Sequence, residues 1–258
     1  MKILLTGHRG FIGSTMLNAL HKHEHEVVTH DWGDSHPGVS HPGVMDCDWV
    51  IHMGAISSTT ERDVDKIFRQ NYDFSVALYE QCKTFGVNFQ YSSSASVYGL
   101  GDDFKETAPV DPRTPYAWTK YLFERYVAQH PSGSIVQGFR YFNVYGDREG
   151  HKGSQASPYY QFAKQAKETG RIQVFEGSKE YRRDFVPVQQ VVDTHLLFMN
   201  TKASGVFNVG SGKSQSFYEV AEQFGVPIEE IPMPEHLKAS YQKYTCANMA
   251  KTNRALLT

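Results

Sequence analysis

Lys2-Ile3-Leu4-Leu5-Thr6-Gly7-His8-Arg9-Gly10-Phe11-Ile12-Gly13 begins as a short apolar run and stops on a glycine. A run of that length bounded by a turn residue predicts a buried strand over 2–6. Beyond Gly13, the apolar residues Met16, Leu17 and Leu20 recur at helical spacing, so the glycines occupy a strand-to-helix turn. The GxxGxxG pattern has a physical logic in that place. Gly7 permits a tight turn, Gly10 puts no side chain in the way of a pyrophosphate, and Gly13 lets the helix pack close to the strand. Free N–H groups at the helix start then face the phosphate oxygens.

Outward from this motif, strands and helices alternate. Val27 and Val28 start a second strand ending at Asp31, and Trp49 to His52 starts another that stops at Gly54-Ala55. Residues 65–83 read as a helix, 87–92 as a strand, 116–129 as a helix and 134–140 as a strand. That order predicts a parallel sheet covered on both faces. The second half changes rhythm: helices over 158–169, 188–199 and 217–224, and short strands over 171–175 and 206–209. We expect residues 1–150 to form a dinucleotide-binding unit. Residues 151–258 then form mostly a smaller lobe, with about 183–200 returning to the first unit, since no linker-like run separates the two. Only sixteen residues, Trp32 to Cys47, lie between the second strand and the next. They hold a tandem pentapeptide, Ser35-His36-Pro37-Gly38-Val39 and Ser40-His41-Pro42-Gly43-Val44, whose Pro-Gly pairs oppose a helix. A shortened or absent element is expected there.

Bulk properties exclude several classes. The net charge of −2 and pI of about 6.6 advertise neither a nucleic-acid nor a membrane-surface partner. Aromatics at 13% against a charged fraction of 21% mark a globular chain. Cys47, Cys82 and Cys246 are odd in number and lack metal-type spacing, which fits a reduced cytoplasmic compartment. The apolar start runs straight into the glycine motif, without the length or cleavage site of a signal peptide, and no run is long enough to span a membrane. His36 and His41, with His21, His23, His25 and His30, are read as belonging to solvated segments and not to a metal site.

Asp31 sits where a carboxylate accepts hydrogen bonds from the adenosine ribose hydroxyls, favouring NAD over a 2′-phosphate, although Arg9 would soften that preference toward NADP. The same aspartate would also serve as a cap or turn residue. Tyr116 and Lys120 stand four residues apart, on one face of the helix expected there. A phenol acts as a base near neutrality only if its pKa falls, and a lysine cation lowers it by stabilising the phenolate. Ser94, at the end of the strand just upstream, is placed to hydrogen-bond a substrate oxygen beside that tyrosine. Each piece alone is common, since YxxxK occurs on ordinary helix faces and three serines suit a turn. The order glycine loop, serine, tyrosine, lysine is far more restrictive.

With these residues in hand, nearly the whole chain resembles the extended short-chain dehydrogenase/reductase (NAD-dependent epimerase/dehydratase) family. That resemblance implies an α/β fold with a Rossmann-type doubly wound sheet and a small C-terminal substrate lobe. Four stretches resemble the ADP-L-glycero-D-manno-heptose 6-epimerases more narrowly: Gly54 to Glu61, the sixteen residues Phe139 to Ser154, Phe175 to Ser178, and Arg182 to Val186. The resemblance implies Tyr116 and Lys152 as two acid/base groups, one for each face of the sugar carbon, assisted by Ser94 and Lys120. It implies one NAD or NADP per chain, tightly bound and recycled. Gly7, Gly10, Phe11, Ile12, Gly13, Asp31, Trp32, Gly54, Ala55, Ile56, Ser57, Asn71, Lys120 and Val144 would hold it. Ser94, Asn143, Lys152, Ser154, Gln161, Phe175, Glu176, Gly177, Ser178, Arg183 and Tyr241 would face an ADP-sugar. A guanidinium at 183 suits a diphosphate. The implied reaction inverts C6″ through a transient ketone, with no net redox change.

Three features depart from that pattern. Gln161 replaces a usual histidine. The Trp32–Cys47 segment lacks lysines expected near the adenosine, and the chain stops at Leu256-Leu257-Thr258, before the usual C-terminal helix, which could leave an apolar patch for a partner subunit. A homo-oligomer is expected. Two other readings stay open: a 4-epimerase, dehydratase or reductase acting on another nucleotide sugar, and a non-catalytic dinucleotide-binding protein. Ala95 and Ser96 stand where a dehydratase carries an acidic pair. Retention of Ser94, Tyr116, Lys120 and Lys152 weighs against loss of catalysis.

Overall fold

A computed structural model describes residues 1–31, 43–58, 61–235 and 242–257. The first run forms β1, Lys2–Thr6, then α1, Phe11–Lys22, and β2, Glu26–His30. Val44 and Cys47 bury themselves in the core around a single 3-10 turn before β3, Trp49–His52. Residues 32–42, with all of the tandem pentapeptide except Gly43 and Val44, lie outside the described residues. Among the described residues, β2 is an edge strand paired only with β1.

The following helix is continuous but not uniform: α2, Val64–Phe68, passes through a π-helical turn, 69–73, into α3, Phe74–Phe85. Then come β4, Asn88–Ser94, α4, Pro115–Gln129, and β5, Val136–Tyr141. After a three-residue strand β6, Asn143–Tyr145, the chain builds α5, Pro158–Thr169, β7, Ile172–Phe175, and β8, Arg182–Pro187. It continues as α6, Val188–Phe198, β9, Gly205–Val209, β10, Ser214–Ser216, α7, Phe217–Glu222, and β11, Ile228–Ile231. A six-residue helix, α8, Ala250–Ala255, follows, and no longer helix lies beyond it among the described residues.

Six strands form one parallel sheet in the order β2-β1-β3-β4-β5-β9. Because side chains alternate along a strand, β1 feeds two cores. Leu4 packs with Val50, Phe89, Leu78, Tyr79 and Phe123 on the face covered by α3 and α4. Ile3 and Leu5 pack with Ile51, Met16, Leu20 and Val192 on the face covered by α1 and α6. The α/β sheet with helices on both faces is the architecture expected from the alternating sequence. The chain leaves β1 in one direction for β2 and returns on its other side for β3. That reversal opens a crevice at the carboxyl ends of the strands.

Two smaller sheets, β10-β8-β6 and β11-β7, pack with α5 and α7 around Phe162, Val174, Phe185 and Val220. Asp184, fully buried in β8, ties this lobe together by accepting from the N–H groups of Ser211, Gly212 and Ala247. Among the described residues no helix is long and apolar enough to cross a membrane, and no group of metal-ligating side chains is assembled.

Candidate active site

The glycine turn is built from backbone. Gly7 adopts φ +75°, and a Cβ there would lie 2.5 Å from the N atom of Gly54. A Cβ on Gly13 would overlap the carbonyl of Gly7, so the helix start and the turn pack as one piece. The Gly10 N–H closes the turn on the Gly7 carbonyl at 3.0 Å. The Asp31 carboxylate accepts from the Arg9 N–H at 3.2 Å and stands 3.8 Å from His8 Nδ1. A cleft of about 100 Å³ lies here, lined by Thr6, Gly7, Asp31, Gly54, Ala55 and Ile56. Ser57, next along, is exposed, and Trp32 lies outside the described residues.

The cleft's floor is held by side chains that spacing does not reveal. Asn71, in the π-helical turn, is 1% exposed. Its amide accepts from the Ile56 N–H at 2.7 Å and donates to the Ile56 carbonyl at 2.9 Å and to Thr119 at 3.3 Å. Thr119 in turn donates to the Tyr116 carbonyl at 2.7 Å. His52 bridges Thr6 at 2.6 Å and Ser75 at 2.8 Å. Burial, together with the charge of Lys120, drives its pKa down to about 3, so it stays neutral. Helix α4, β1 and the 54–56 turn are thereby joined through one polar core. A bulge of this kind is a recurrent feature of functional sites, since it re-aims one side chain without ending the helix.

A second cleft, about 260 Å³, is lined by Phe11, Ile12, Ser94, Tyr116, Asn143, Val144 and Lys152, among others. Strand β4 delivers Ser94. Helix α4 delivers Tyr116 in its first turn, where Thr114 caps Ala117 N–H at 3.1 Å and Pro115 occupies the first position. Ser94 hydrogen-bonds the Tyr116 phenol, which pulls its pKa down, but burial is the larger effect and the net shift is upward. The Lys120 Nζ donates to the Ser92 carbonyl at 2.9 Å and stands 5.9 Å from the centre of the Tyr116 ring. Burial pushes Lys120 down to about 8, with Glu124 opposing. Beneath them Glu124 pairs with Arg140 at 2.6 Å and accepts from Ser93 at 2.5 Å, all buried.

Lys152 comes from the other side, on a short 3-10 run over 150–155 that kinks at Gly153. Its Nζ lies 3.3 Å from Glu149 and 4.9 Å from the Phe11 ring centre. Beyond it a third cavity, about 340 Å³, is lined by Gln161, Phe162, Phe175, Ser178, Tyr181 and Phe217, among others. Ser178 is 2% exposed and its hydroxyl has no hydrogen-bond partner among the described residues. Gly177 turns the chain at φ +81°, whereas Glu176 is exposed. Arg183 lays its guanidinium over Phe217, 5.4 Å from the ring centre. The Gln161 amide is turned to the Gly153 carbonyl at 2.6 Å. The Ser154 side chain and Tyr241 lie outside the described residues. Sequence reading missed Glu149, Ser157, Thr119, His52 and the Glu124–Arg140 pair. The signal for two of them was the place of Arg140 and Glu149 within the Phe139–Ser154 stretch.

The two clefts flanking the glycine turn fit an extended dinucleotide. The turn offers backbone N–H groups where side chains would collide, and a carboxylate closes one end. The model of the NAD dependent epimerase/dehydratase family matches residues 3–210. The chain belongs to that family. Among solved structures it is similar to an ADP-L-glycero-D-manno-heptose-6-epimerase from Helicobacter pylori, with 27% identity over 99% of this chain and 89% of that one, at a TM-score of 0.85. It is as similar to a UDP-glucose 4-epimerase from Thermotoga maritima, at 25% identity, 99% and 92% coverage and a TM-score of 0.85. A UDP-glucose 4-epimerase from Thermus thermophilus in complex with NAD shares 25% identity over 98% of this epimerase/dehydratase-family chain and 92% of its own, at a TM-score of 0.83.

Proposed function

We propose that the chain is an NAD-dependent nucleotide-sugar epimerase, and that its substrate is an ADP-linked heptose inverted at C6″. The observation that carries this reading is the shared lining of one cleft by Tyr116 and Lys152, groups from two different parts of the fold. Because hydride leaves for and returns from one fixed side, inversion requires the ketone to present its other face, and a group on each side of the cleft would serve the oxygen in both orientations. The heptose is supported by the Helicobacter structure's similarity and by the Phe139–Ser154 stretch that contains Lys152.

The bound nicotinamide supplies the hydride acceptor and donor. Gly7, Gly10 and Gly13 would cradle its pyrophosphate, Asp31 its adenosine ribose, and Lys120 its nicotinamide ribose. The Asp31 carboxylate would accept from the ribose hydroxyls and repel a 2′-phosphate, which favours NAD. Ser94 and Tyr116 hold the substrate hydroxyl on one side, and Tyr116 moves its proton. Lys152 holds a proton for the oxygen when the sugar is presented by its other face. Arg183 and Ser178 would engage the diphosphate side. We place the enzyme in the cytoplasm, on its thiol chemistry, as a homo-oligomer.

A second reading, a UDP-sugar 4-epimerase, is favoured by the equal TM-score of the Thermotoga enzyme. Purified protein given ADP-D-glycero-D-manno-heptose should yield the L-glycero epimer by proton NMR. Tyr116→Phe and Lys152→Met should each slow it by about 1,000-fold. Turnover of UDP-sugars with none of the heptose would move the assignment to the second reading.

A further inference from the structure

Glu149 is fully buried, and a carboxylate in that position must find donors or lose its charge. It finds four. Its Oε1 accepts from the Ser157 hydroxyl at 2.6 Å and the Gly146 N–H at 3.1 Å. Its Oε2 accepts from the Ser157 N–H at 2.8 Å and from Lys152 Nζ at 3.3 Å. Gly146 follows the end of β6, and Ser157 caps α5, accepting from Tyr160 N–H at 3.3 Å. The positive end of α5 adds to the attraction. One carboxylate therefore joins a strand end, a helix start and the ammonium of Lys152. A purely structural glutamate would be satisfied by the first three donors.

The 3-10 run that carries Lys152 is otherwise closed by local bonds, from Lys152 N–H to the Glu149 carbonyl at 2.9 Å, from Ala156 N–H to the Gly153 carbonyl at 3.2 Å and between His151 and the Arg148 carbonyl at 3.0 Å. Gly153, next along, takes φ +54° and breaks the run, and the Gln161 amide holds its carbonyl. With Glu149 on one side and the Phe11 ring on the other, the ammonium is bracketed against the glycine turn.

We propose that Glu149 is the positioning residue for Lys152, anchoring its ammonium in the cleft opposite Tyr116 through the Gly146 and Ser157 contacts. The proposal rests on the reading of Lys152 as the second proton carrier for its catalytic meaning, but not for its geometry. The geometry is tested without substrate. Full-length protein is labelled with trace acetic anhydride, and each lysine's acylation is read by peptide mass spectrometry, with the exposed Lys164 and Lys167 as references. In Glu149→Gln the Lys152 ratio should rise about tenfold, because an ammonium held by a carboxylate must leave it before the amine reacts. Ser157→Ala, which loosens Glu149 without removing it, should raise the ratio about threefold. An unchanged ratio in a folded Glu149→Gln overturns the proposal. If that variant does not fold, an unchanged ratio in Ser157→Ala does so.

Activity supplies the second readout. On whichever nucleotide sugar the unaltered enzyme turns over, Glu149→Gln should lower kcat about 100-fold while KM stays within about threefold. A loss confined to KM overturns the positioning role. Failure of the unaltered enzyme on every nucleotide sugar sinks the proposed function alone, and the labelling ratio still decides on Glu149.

Discussion

The two parts of the fold that bring Tyr116 and Lys152 to one cleft are built by different means. Tyr116 stands on a fifteen-residue helix whose first turn is capped and whose body is pinned to the 54–56 turn through Thr119 and Asn71. Lys152 stands on a six-residue 3-10 run, whose side-chain ties to the rest of the fold include the Glu149 carboxylate, the Gln161 amide and the Phe11 ring. The first side spreads its restraint over a polar core shared with the cofactor turn. The second concentrates its restraint in Glu149. Position on the first side is therefore a property of the fold, and on the second a property of a few contacts.

The contrast is broken most directly at Asn71. Asn71→Ala strands the Ile56 N–H and carbonyl and should cost about 3 kcal/mol of stability, read by urea denaturation. Lys152→Met should change it by less than about 1 kcal/mol, as befits a side chain 22% exposed. Equal losses would mean the two sides are equally integrated.

The buried histidines sharpen it next. His52 and His195 are each held near a pKa of about 3 by burial, below the unfolded value of 6.5. Their stabilisation is complete above pH 6.5 and is lost as pH falls toward 3, because the unfolded chain takes up protons the folded one refuses. Each should contribute about 1.4 kcal/mol per pH unit across that window. His52→Asn, compared with the unaltered chain by denaturation from pH 6 to 4, should flatten the slope by one such increment. An unchanged slope would remove His52 from the network that supports the Tyr116 side.

The smallest effect concerns Lys120. Its proton is lost as pH rises through about 8, so NAD affinity by fluorescence titration should weaken about threefold between pH 7 and 9. Lys120→Met should bind more weakly and without that dependence. A pH-dependence that survives the substitution would point to another group.

What was legible follows from the same contrast. The sheet, its order of elements and the glycine turn were readable because they rest on period-two and helical repetition of apolar residues. Tyr116 and Lys120 were readable because four residues make one helical turn. Nothing periodic announces Lys152, which entered only through a resemblance. Asn71 was named on the same ground, but the π-helical turn that aims it leaves no pattern in Phe68-Arg69-Gln70-Asn71-Tyr72. Spacing says which groups are near, not how deeply they are buried, and it gave no sign of the burial that raises the Tyr116 phenol. Glu149 looked like any loop acid, and its donors come from three points that only the folded chain brings together.

The packing of α6 against β1 and β3 has a consequence in time. Ile3, Leu5, Trp49 and Ile51 share a core that is finished by Val192 and Met199. During synthesis at about 5–20 residues per second, that face waits roughly seven to thirty seconds for its cover. Over that interval the nascent chain would expose apolar surface, and translation that pauses before residue 188 would prolong the exposure.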